Sequence, residues 1–450
     1  MAQIENSQQG LLEKPYVEQI LEKSDALAKF GGFDLLESAI DDIQNLNPDR
    51  KARRKIFLTE NNKKQDRTEL LKVLKLWKET LSSEGDLIDL IEKTNEKEVQ
   101  AKQVLKKNLK IALNSTRELE ASYRSVALFY KNTDESAIKN ATIVNAELEQ
   151  LADLDNTRFF DYIREEIVSS YDRLDLRDNY ALLVVPGYLG SKSVVDKWAK
   201  MAHANKVTMV TDFAHLDEAD DVMELFESAN LASGDAYLSN TIMTCNWLVG
   251  RPKETELGEE EDLFIPPSGA LAGTMYKTLM SQVTAGKKHG GLSEVEAVSF
   301  DLKKSEIAVL ENLGLVPMVN EYGKVMAFSA KTLFNGDNIG LQTYSVVRVF
   351  DYISKVLMDF LNRRAFENFN TKTRNEILKQ IVKFLDGVTG PDKLIENFDI
   401  KRFEQDQFQK DKIHVDIRLK PYFPAKNFLI SMDGQKGDEG AEWDTDYAEQ

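Results

Sequence analysis

The most chemically suggestive stretch of this chain is a glycine-rich turn. Pro186-Gly187-Tyr188-Leu189-Gly190-Ser191-Lys192-Ser193 follows the apolar run Tyr180–Val185 and precedes a helical pattern. Backbone N–H groups at such a helix N-terminus can bind phosphate. A Walker loop, however, requires GxxxxGK[ST], with lysine directly after the second glycine. Here Gly187 and Gly190 stand too close together, and Ser191 intervenes before Lys192. The spacing better fits a tight strand-to-helix turn with Ser191 or Ser193 capping the helix. The competing reading is a cytosolic α/β nucleotide- or phosphate-binding enzyme that uses Gly187–Ser193.

No other stretch assembles a reaction centre. Thr211-Asp212-Phe213-Ala214-His215 ends a strand pattern, the place where open α/β sheets carry ligands, but Asp and His there are also ordinary turn and capping residues. His203, His215, His289 and His414 are scattered over different elements and lack HExxH spacing. Cys245 is the only cysteine and lies in the apolar run Thr241–Val249, as a buried small hydrophobe would. Without a cysteine partner, zinc is not expected. Glu259-Glu-Glu-Asp262 reads as a solvated charged loop rather than a metal cage, which spaces its carboxylates around glycine turns. The basic run Arg50–Lys55 lacks the aromatic interleaving of a nucleic-acid platform. The expectation is a protein that is not an enzyme and carries no cofactor or metal.

Composition narrows the class. Of 450 residues, 58 are basic and 75 acidic, a net charge of −17 that argues against general nucleic-acid binding. Hydrophobic content of 42% and charged content of 30% are those of a soluble globular protein. No apolar run approaches the ~20 residues of a membrane helix, and MAQIENSQQG lacks the features of a signal peptide. A lone cysteine fits a reducing compartment. The cytoplasm is expected, with no membrane insertion.

The elements that must position these residues follow from periodicity. A first amphipathic helix begins near Pro15, with Val17, Ile20 and Leu21 on one face. From Arg67 the pattern is strongly helical. Leu70, Leu74, Trp77 and Leu81 form one stripe, and Leu105, Leu109, Leu113, Tyr123 and Val126 another, both expected in the core. Around Phe159 the pattern changes to alternating strand and helix: strand Tyr180–Val185, helix Ser193–Ala204, strand Val207–Val210, helix Asp217–Ala229. Two further helices follow. The first carries Val346, Phe350, Ile353, Leu357 and Phe360 in phase, and the second buries Ile377, Ile381 and Phe384 while presenting Lys372, Lys379 and Lys383. In the final ordered stretch Ile413, Val415, Ile417 and Leu419 alternate with His414, Asp416 and Arg418, the period of a half-buried strand. Pro421 and Pro424 interrupt it, and the apolar run Phe428-Leu429-Ile430 comes next. These strands either close a hairpin within the chain or complete a sheet shared with neighbouring subunits. The expected fold class is α/β (α+β). It divides into an N-terminal helical arm at 1–66, a helical region at 67–165, a middle α/β domain at 166–322, a C-terminal α+β domain at 323–432 and an acidic disordered tail at 433–450.

Several motifs, in order, carry a resemblance. Arg418-Leu-Lys-Pro-Tyr-Phe-Pro-Ala-Lys-Asn-Phe-Leu-Ile-Ser-Met432 resembles the C-terminal end of the large contractile-sheath subunit of type VI secretion systems, the TssC family. Lys420-Pro421-Tyr422-Phe423 stands where that family has an RPHF-like tetrapeptide. Phe264-Ile-Pro-Pro-Ser-Gly-Ala-Leu-Ala-Gly273 resembles the PPSG-A-AG signature of tail sheaths. Lys324–Leu333 resembles a G-x-x-V-W-G-A-R-T-L element, with Phe328 and Lys331 replacing its Trp and Arg, and Tyr344–Arg348 resembles Y-x-x-V-R-R. Leu113–Leu119 is similar to the family's LN-x-S-x-x-E-L, and Leu74–Trp77 to its WRGL helix. The alternative within this class is a phage-like contractile tail sheath.

The resemblance implies a structural subunit that polymerises helically with a small TssB-like sheath partner around an Hcp-like inner tube, contacts a baseplate, and contracts to drive the tube into a target cell. It implies a tail-sheath-like C-terminal domain whose sheet is shared between subunits through Ile413, Val415, Ile417, Leu419, Phe428 and Ile430. Lys372, Lys379 and Lys383 become candidates for facing the tube. Val17, Ile20 and Leu21 become a candidate handle for a ClpV-type disassembly ATPase.

Overall fold

The computed structural model describes residues 57–82, 87–177, 179–426, 429–435 and 442–448. Val17, Ile20, Leu21 and Phe428 lie outside the described residues. The chain divides into two compact units, residues 1–111 and 112–450, a coarser partition than the five segments expected.

In the first unit, helix α1 (Lys64–Leu81) buries Leu70, Leu71 and Leu74 against Phe57. Arg67, buried at its base, donates from Nη1 to the carbonyls of Phe57 and Glu60, both at 2.7 Å. The expected stripe is therefore core at Leu70 and Leu74. Helix α2 (Leu87–Asn132) departs from expectation. Leu105, Leu109, Tyr123 and Val126 are exposed rather than buried. Helical period shows that a helix has an apolar face; it does not show that the same chain supplies the cover.

The second unit is built on a five-stranded sheet ordered β1-β2-β3-β6-β7. Strands β1 (Leu182–Val185), β2 (Thr208–Asp212), β3 (Thr241–Cys245) and β6 (Leu315–Glu321) run parallel. Strand β7 (Lys324–Ala327) closes the edge antiparallel to β6, so the middle sheet extends past the boundary expected at 322. Strand residues alternate between two cores. Met209 and Met243 pack with one set of helices and Val210 and Ile242 with another.

The first core is covered by α3 (Arg158–Tyr171), α4 (Lys192–Ala204), α5 (Ala219–Ala229) and α7 (Lys304–Leu313), where Trp198 is fully buried with Phe160 edge-on at 4.9 Å. The second is covered by α6 (Ser268–Lys277), with Leu128 of α2 in the same core. This α/β/α layering buries both faces of a parallel sheet, which is why its strands read as continuous apolar runs. A small antiparallel pair, β4 (Leu248–Arg251) and β5 (Leu263–Ile265), leads into α6.

Helix α6 explains why its sequence is so glycine-rich. A β-carbon on Gly269 would stand 2.7 Å from the Ser125 carbonyl oxygen, and one on Gly273 would stand 2.4 Å from that of Phe129. Four residues apart on both helices, these contacts bring the α6 backbone directly onto α2. No larger residue fits at either position.

The C-terminal part packs α8 (Tyr344–Arg363) and α9 (Thr371–Gly387) on an antiparallel pair, β8 (Ile395–Gln405) and β9 (Ile413–Pro421). Val349, Ile353, Ile377, Ile381, Leu385, Ile395 and Phe403 are buried between them. Strands β10 (Leu429–Gln435) and β11 (Glu442–Ala448) form a separate antiparallel pair. Two expectations are corrected. The partner of β9 is β8, not the following strand, and residues 442–448 of the acidic tail form a strand rather than remaining disordered. The sequence alternates Trp443, Thr445 and Tyr447, residue types of high β propensity, through this acidic stretch.

Gly273→Ala should lower unfolding free energy by about 3 kcal/mol, the scale of an overpacked contact with no room to relax. Gly387→Ala, at the end of α9 with nothing within 4 Å of the added carbon, should be neutral or slightly stabilising. Denaturant midpoints of the two variants check this; equal midpoints would contradict the close-packing account.

Candidate functional site

The stretches that suggested chemistry converge on one carboxylate. Asp212 ends β2 and is fully buried. Its Oδ2 accepts from the Gly187 N–H at 2.8 Å and from Ser268 Oγ at 2.5 Å. Its Oδ1 accepts from the Ser268 N–H at 2.8 Å and from Thr244 Oγ1. Each oxygen thus takes one backbone N–H and one hydroxyl. The donors come from the β1–α4 turn, from β3 and from the first residue of α6.

Every part of this arrangement has a local cause. Gly187 sits at φ 97°, in the left-handed region that glycine adopts without steric cost. That geometry turns its N–H toward Asp212, while its carbonyl accepts from Thr211 Oγ1 at 3.0 Å. The Ser268 N–H is one of the unpaired donors of a helix start, and negative charge at that end complements the helix dipole. Burial pushes the Asp212 carboxyl up to about 6, with the four donors pulling it the other way. The group is a saturated structural cross-link with no lone pair directed at a substrate.

The remaining sequence candidates sit at separate places in the fold. At the end of the glycine-rich turn, Ser191 and Ser193 pair with each other at 3.1 Å. His203 Nδ1 lies 2.7 Å from Asn240 Oδ1. His215 packs edge-on to Phe264 at 4.2 Å and near Trp247, with burial pulling its pKa down. Burial also pulls His289 down. His414 Nε2 pairs with Asp406 Oδ2 at 2.7 Å. Cys245 is fully buried, and its thiol is pushed far up by burial and by the Asp212 charge. Among the described residues no group of His, Cys, Asp and Glu is placed to hold a metal ion. None of the described helices is long and apolar enough to cross a membrane.

The acidic run at 259–262 is a correction. Glu259 is not solvated: its side chain is 3% exposed and accepts from Arg251 Nη1 at 2.6 Å and Nη2 at 2.9 Å. Arg117 joins it at 3.2 Å, and Arg251 continues to Glu120, which also accepts from Arg124. These ion pairs hold Glu259 down at about 2, Arg251 being the largest cause. They fasten the β4–β5 pair to α2, on the same helix that α6 packs against. Only contacts between residues more than a hundred positions apart reveal this; a local charge run does not.

The assembly candidates are placed as follows. Val415, Ile417 and Leu419 point their half-buried side chains at the α8–α9 core, whereas Ile413, at 37%, is exposed. Ile430 lies on β10. Lys372, Lys379 and Lys383 all lie on the exposed side of α9, opposite Ile377, Ile381 and Leu385. In the sheath-like motifs, Tyr344 and Arg348 are buried: Tyr344 Oη accepts from the Thr284 N–H at 3.0 Å, and Arg348 Nη2 donates to the Met275 carbonyl at 3.0 Å. Lys331 Nζ donates to Gln342.

Family comparison accounts for these motifs. The family model for the central domain of the type VI secretion system protein TssC/VipB matches residues 111–335, the C-terminal domain model matches 343–449 and the N-terminal region model matches 20–109. The chain belongs to the TssC/VipB family. As a member it is a structural subunit of a contractile sheath. No curated protein matches the chain.

Among solved structures it is similar to a chain of the anti-feeding prophage baseplate, at 16% identity over 69% of this chain and 80% of that one, with a TM-score of 0.48. It is also similar to the contracted helical sheath of the same prophage, at 14% identity over 67% and 78%, with a TM-score of 0.48. A contracted PVC sheath complex matches at 15% identity over 61% and 76%, with a TM-score of 0.43.

Asp212→Asn should cost about 2–3 kcal/mol, the penalty for leaving a buried donor unsatisfied. Either amide flip turns an NH2 toward a backbone N–H that cannot reverse. The pH dependence has a definite sign. Asp212 titrates at about 6 in the folded chain against an ordinary 3.8, so the folded state takes up its proton first. Its linked stabilisation is complete below the ordinary value and is lost as pH rises through the folded one. The stability gap between wild type and Asp212→Asn should widen as pH falls across that window; a constant gap in chemical denaturation would contradict the assignment.

Proposed function

We propose that this chain is the large subunit of a type VI contractile sheath. It polymerises with a small sheath partner around an inner tube, and its C-terminal strands pair with strands of neighbouring subunits. The observation that carries the reading is the state of β9. Among the described residues it pairs only with β8, so one edge of a nine-residue strand has no ladder. Two-stranded pairs are marginal in water, and an unpaired edge is a template for strand addition. Val415, Ile417 and Leu419 hold the strand on its own helices from one face. The open edge is left for a partner, with Ile413, Phe428 and Ile430 completing the proposed shared sheet.

Mechanically, the Asp212-centred sheet is the rigid body and the C-terminal strands are the straps. Main-chain ladders survive rotation of the bodies they connect, because no specific side-chain contact has to be preserved. Non-closing contacts between identical bodies generate helical filaments. Lys372, Lys379 and Lys383 form a basic exposed row proposed to face the inner tube. Baseplate attachment, engagement of Val17, Ile20 and Leu21 by a disassembly ATPase, and a cytoplasmic location complete the proposal.

The test is co-expression with the small subunit from the neighbouring gene, with negative-stain microscopy as the readout. Wild type should form hollow tubes. Val415→Pro or Ile417→Pro should abolish tubes while the melting of the α/β body stays within a few degrees, because β9 is not part of that sheet. Intact tubes in either variant would refute the shared-strand assignment. Replacing Lys372, Lys379 and Lys383 together by Glu should leave tubes intact but release the inner-tube protein; retained inner tube would refute that row.

A further inference from the structure

Arg348 of α8 carries a buried charge that the described residues do not balance. It is 8% exposed, and its Nη2 donates to the Met275 carbonyl at 3.0 Å. That carbonyl lies in the last turn of α6, where helix carbonyls lack intrahelical partners. The helix end there supplies about half a unit of negative charge, so a single guanidinium is only partly offset. Burial pulls the Arg348 pKa down to about 10, which still leaves it charged at neutral pH. Among the described residues Nη1 has no acceptor. No carboxylate bears on the group either; the titratable side chain acting on it is the Tyr344 phenol.

The neighbouring groups add donors rather than acceptors. Tyr344, one turn earlier on α8, is fully buried, and its Oη accepts from the Thr284 N–H at 3.0 Å. Thr284, also fully buried, places its Oγ1 2.9 Å from the same oxygen. The two hydroxyls carry two hydrogens, and the single bond between them uses one. Whichever way that bond runs, the other hydrogen has no acceptor among the described residues. Unpaired buried donors and an unbalanced buried charge are both costly. A water molecule accepts hydrogen bonds but cannot neutralise a guanidinium. A dianion overshoots one positive charge in a low-dielectric interior. A small monovalent anion meets both needs. Met275, Tyr344 and Thr284 are all fully enclosed, so such an ion comes from solvent rather than from a neighbouring chain's side chain.

We propose that the junction of α6 and α8 binds one halide ion, chloride, through Arg348 Nη1 and the spare hydroxyl of the Tyr344–Thr284 pair. The ion completes the neutralisation that the α6 C-terminus begins. It thereby ties α8, the first long helix of the C-terminal part, to the middle domain. An ion held only by the folded chain links stability to its concentration. Above the dissociation constant, the unfolding constant should fall about tenfold for each tenfold rise in chloride. The inference stands apart from the sheath reading, because it rests on an interior junction. Failure of strand sharing at β9 would leave it untouched.

The test unfolds the full chain in urea with sodium chloride, bromide, gluconate or sulfate at matched ionic strength. Chloride and bromide should raise the wild-type midpoint relative to gluconate, in proportion to the logarithm of their concentration. Arg348→Met removes the charge at similar length, a replacement that buried ion sites often tolerate, and should abolish that response. Sulfate stabilises folded chains by exclusion from their surface and should raise both midpoints alike. A second readout needs only the wild-type chain: crystals grown in bromide should show an anomalous peak within hydrogen-bonding reach of Arg348 Nη1. Equal wild-type midpoints in chloride and gluconate would overturn the proposal. So would an undiminished chloride response in Arg348→Met, or bromide crystals with no peak at Nη1. A peak there without a chloride-dependent midpoint would mark an adventitious ion only and would overturn it as well.

Discussion

One buried carboxylate fixes the geometry of the middle domain. A charge placed inside a low-dielectric core is costly unless its lone pairs are filled, and Asp212 fills them with two backbone N–H groups and two hydroxyls. Those donors belong to three segments distant in sequence: the turn after β1, strand β3, and the start of α6. None can move away without leaving a buried charge short of a partner. The sheet order and the seating of α6 are therefore coupled to a single group. Because α6 in turn lies backbone-to-backbone on α2 through Gly269 and Gly273, the constraint reaches the helix that carries Arg117, Glu120 and Arg124.

This arrangement suits a structural subunit. A sheath component has to transmit force through its body while its contacts with neighbours rearrange, which requires stiffness in one part and freedom in another. The middle domain offers a parallel sheet covered on both faces, with the Asp212 carboxylate paired where β2, β3, α6 and the turn after β1 meet. In the C-terminal part, the ladders among the described residues are two-stranded, β8–β9 and β10–β11. Interiors at crystal-like packing density respond as rigid bodies, whereas a two-stranded ladder gains most of its stability from whatever it packs on or pairs with.

Much of the middle domain was legible because strand and helix periods differ and its segments are long enough to show them. The strand expected at Tyr180–Val185 is Leu182–Val185, and the helix expected at Ser193–Ala204 is Lys192–Ala204. In the glycine-rich turn, the spacing of Gly187 and Gly190, with Ser191 before Lys192, departs from a Walker loop. The Asp212 junction was not legible. Its members lie in separate motifs, and nothing local tells an aspartate that caps a turn from one that ties three elements together. The sheath-like PPSG signature did mark Ser268, Gly269 and Gly273; their reasons, a donor for Asp212 and close approach to α2, appeared only in three dimensions. Leu105 and Leu109 misled for a different cause, since periodicity is silent about who covers a face. The acidic run at 259–262 misled likewise, because its arginine partners lie on other elements.

Native-state hydrogen exchange at two amides tests the central claim most directly. If Asp212 couples the β1–α4 turn to α6, the Gly187 and Ser268 N–H groups should exchange only through global unfolding, with the same opening free energy as the central strand β3. In Asp212→Asn both should lose protection together. Exchange of either amide at the rate of an exposed loop in the wild-type chain, or loss of only one in the variant, would show that the junction does not hold the fold together.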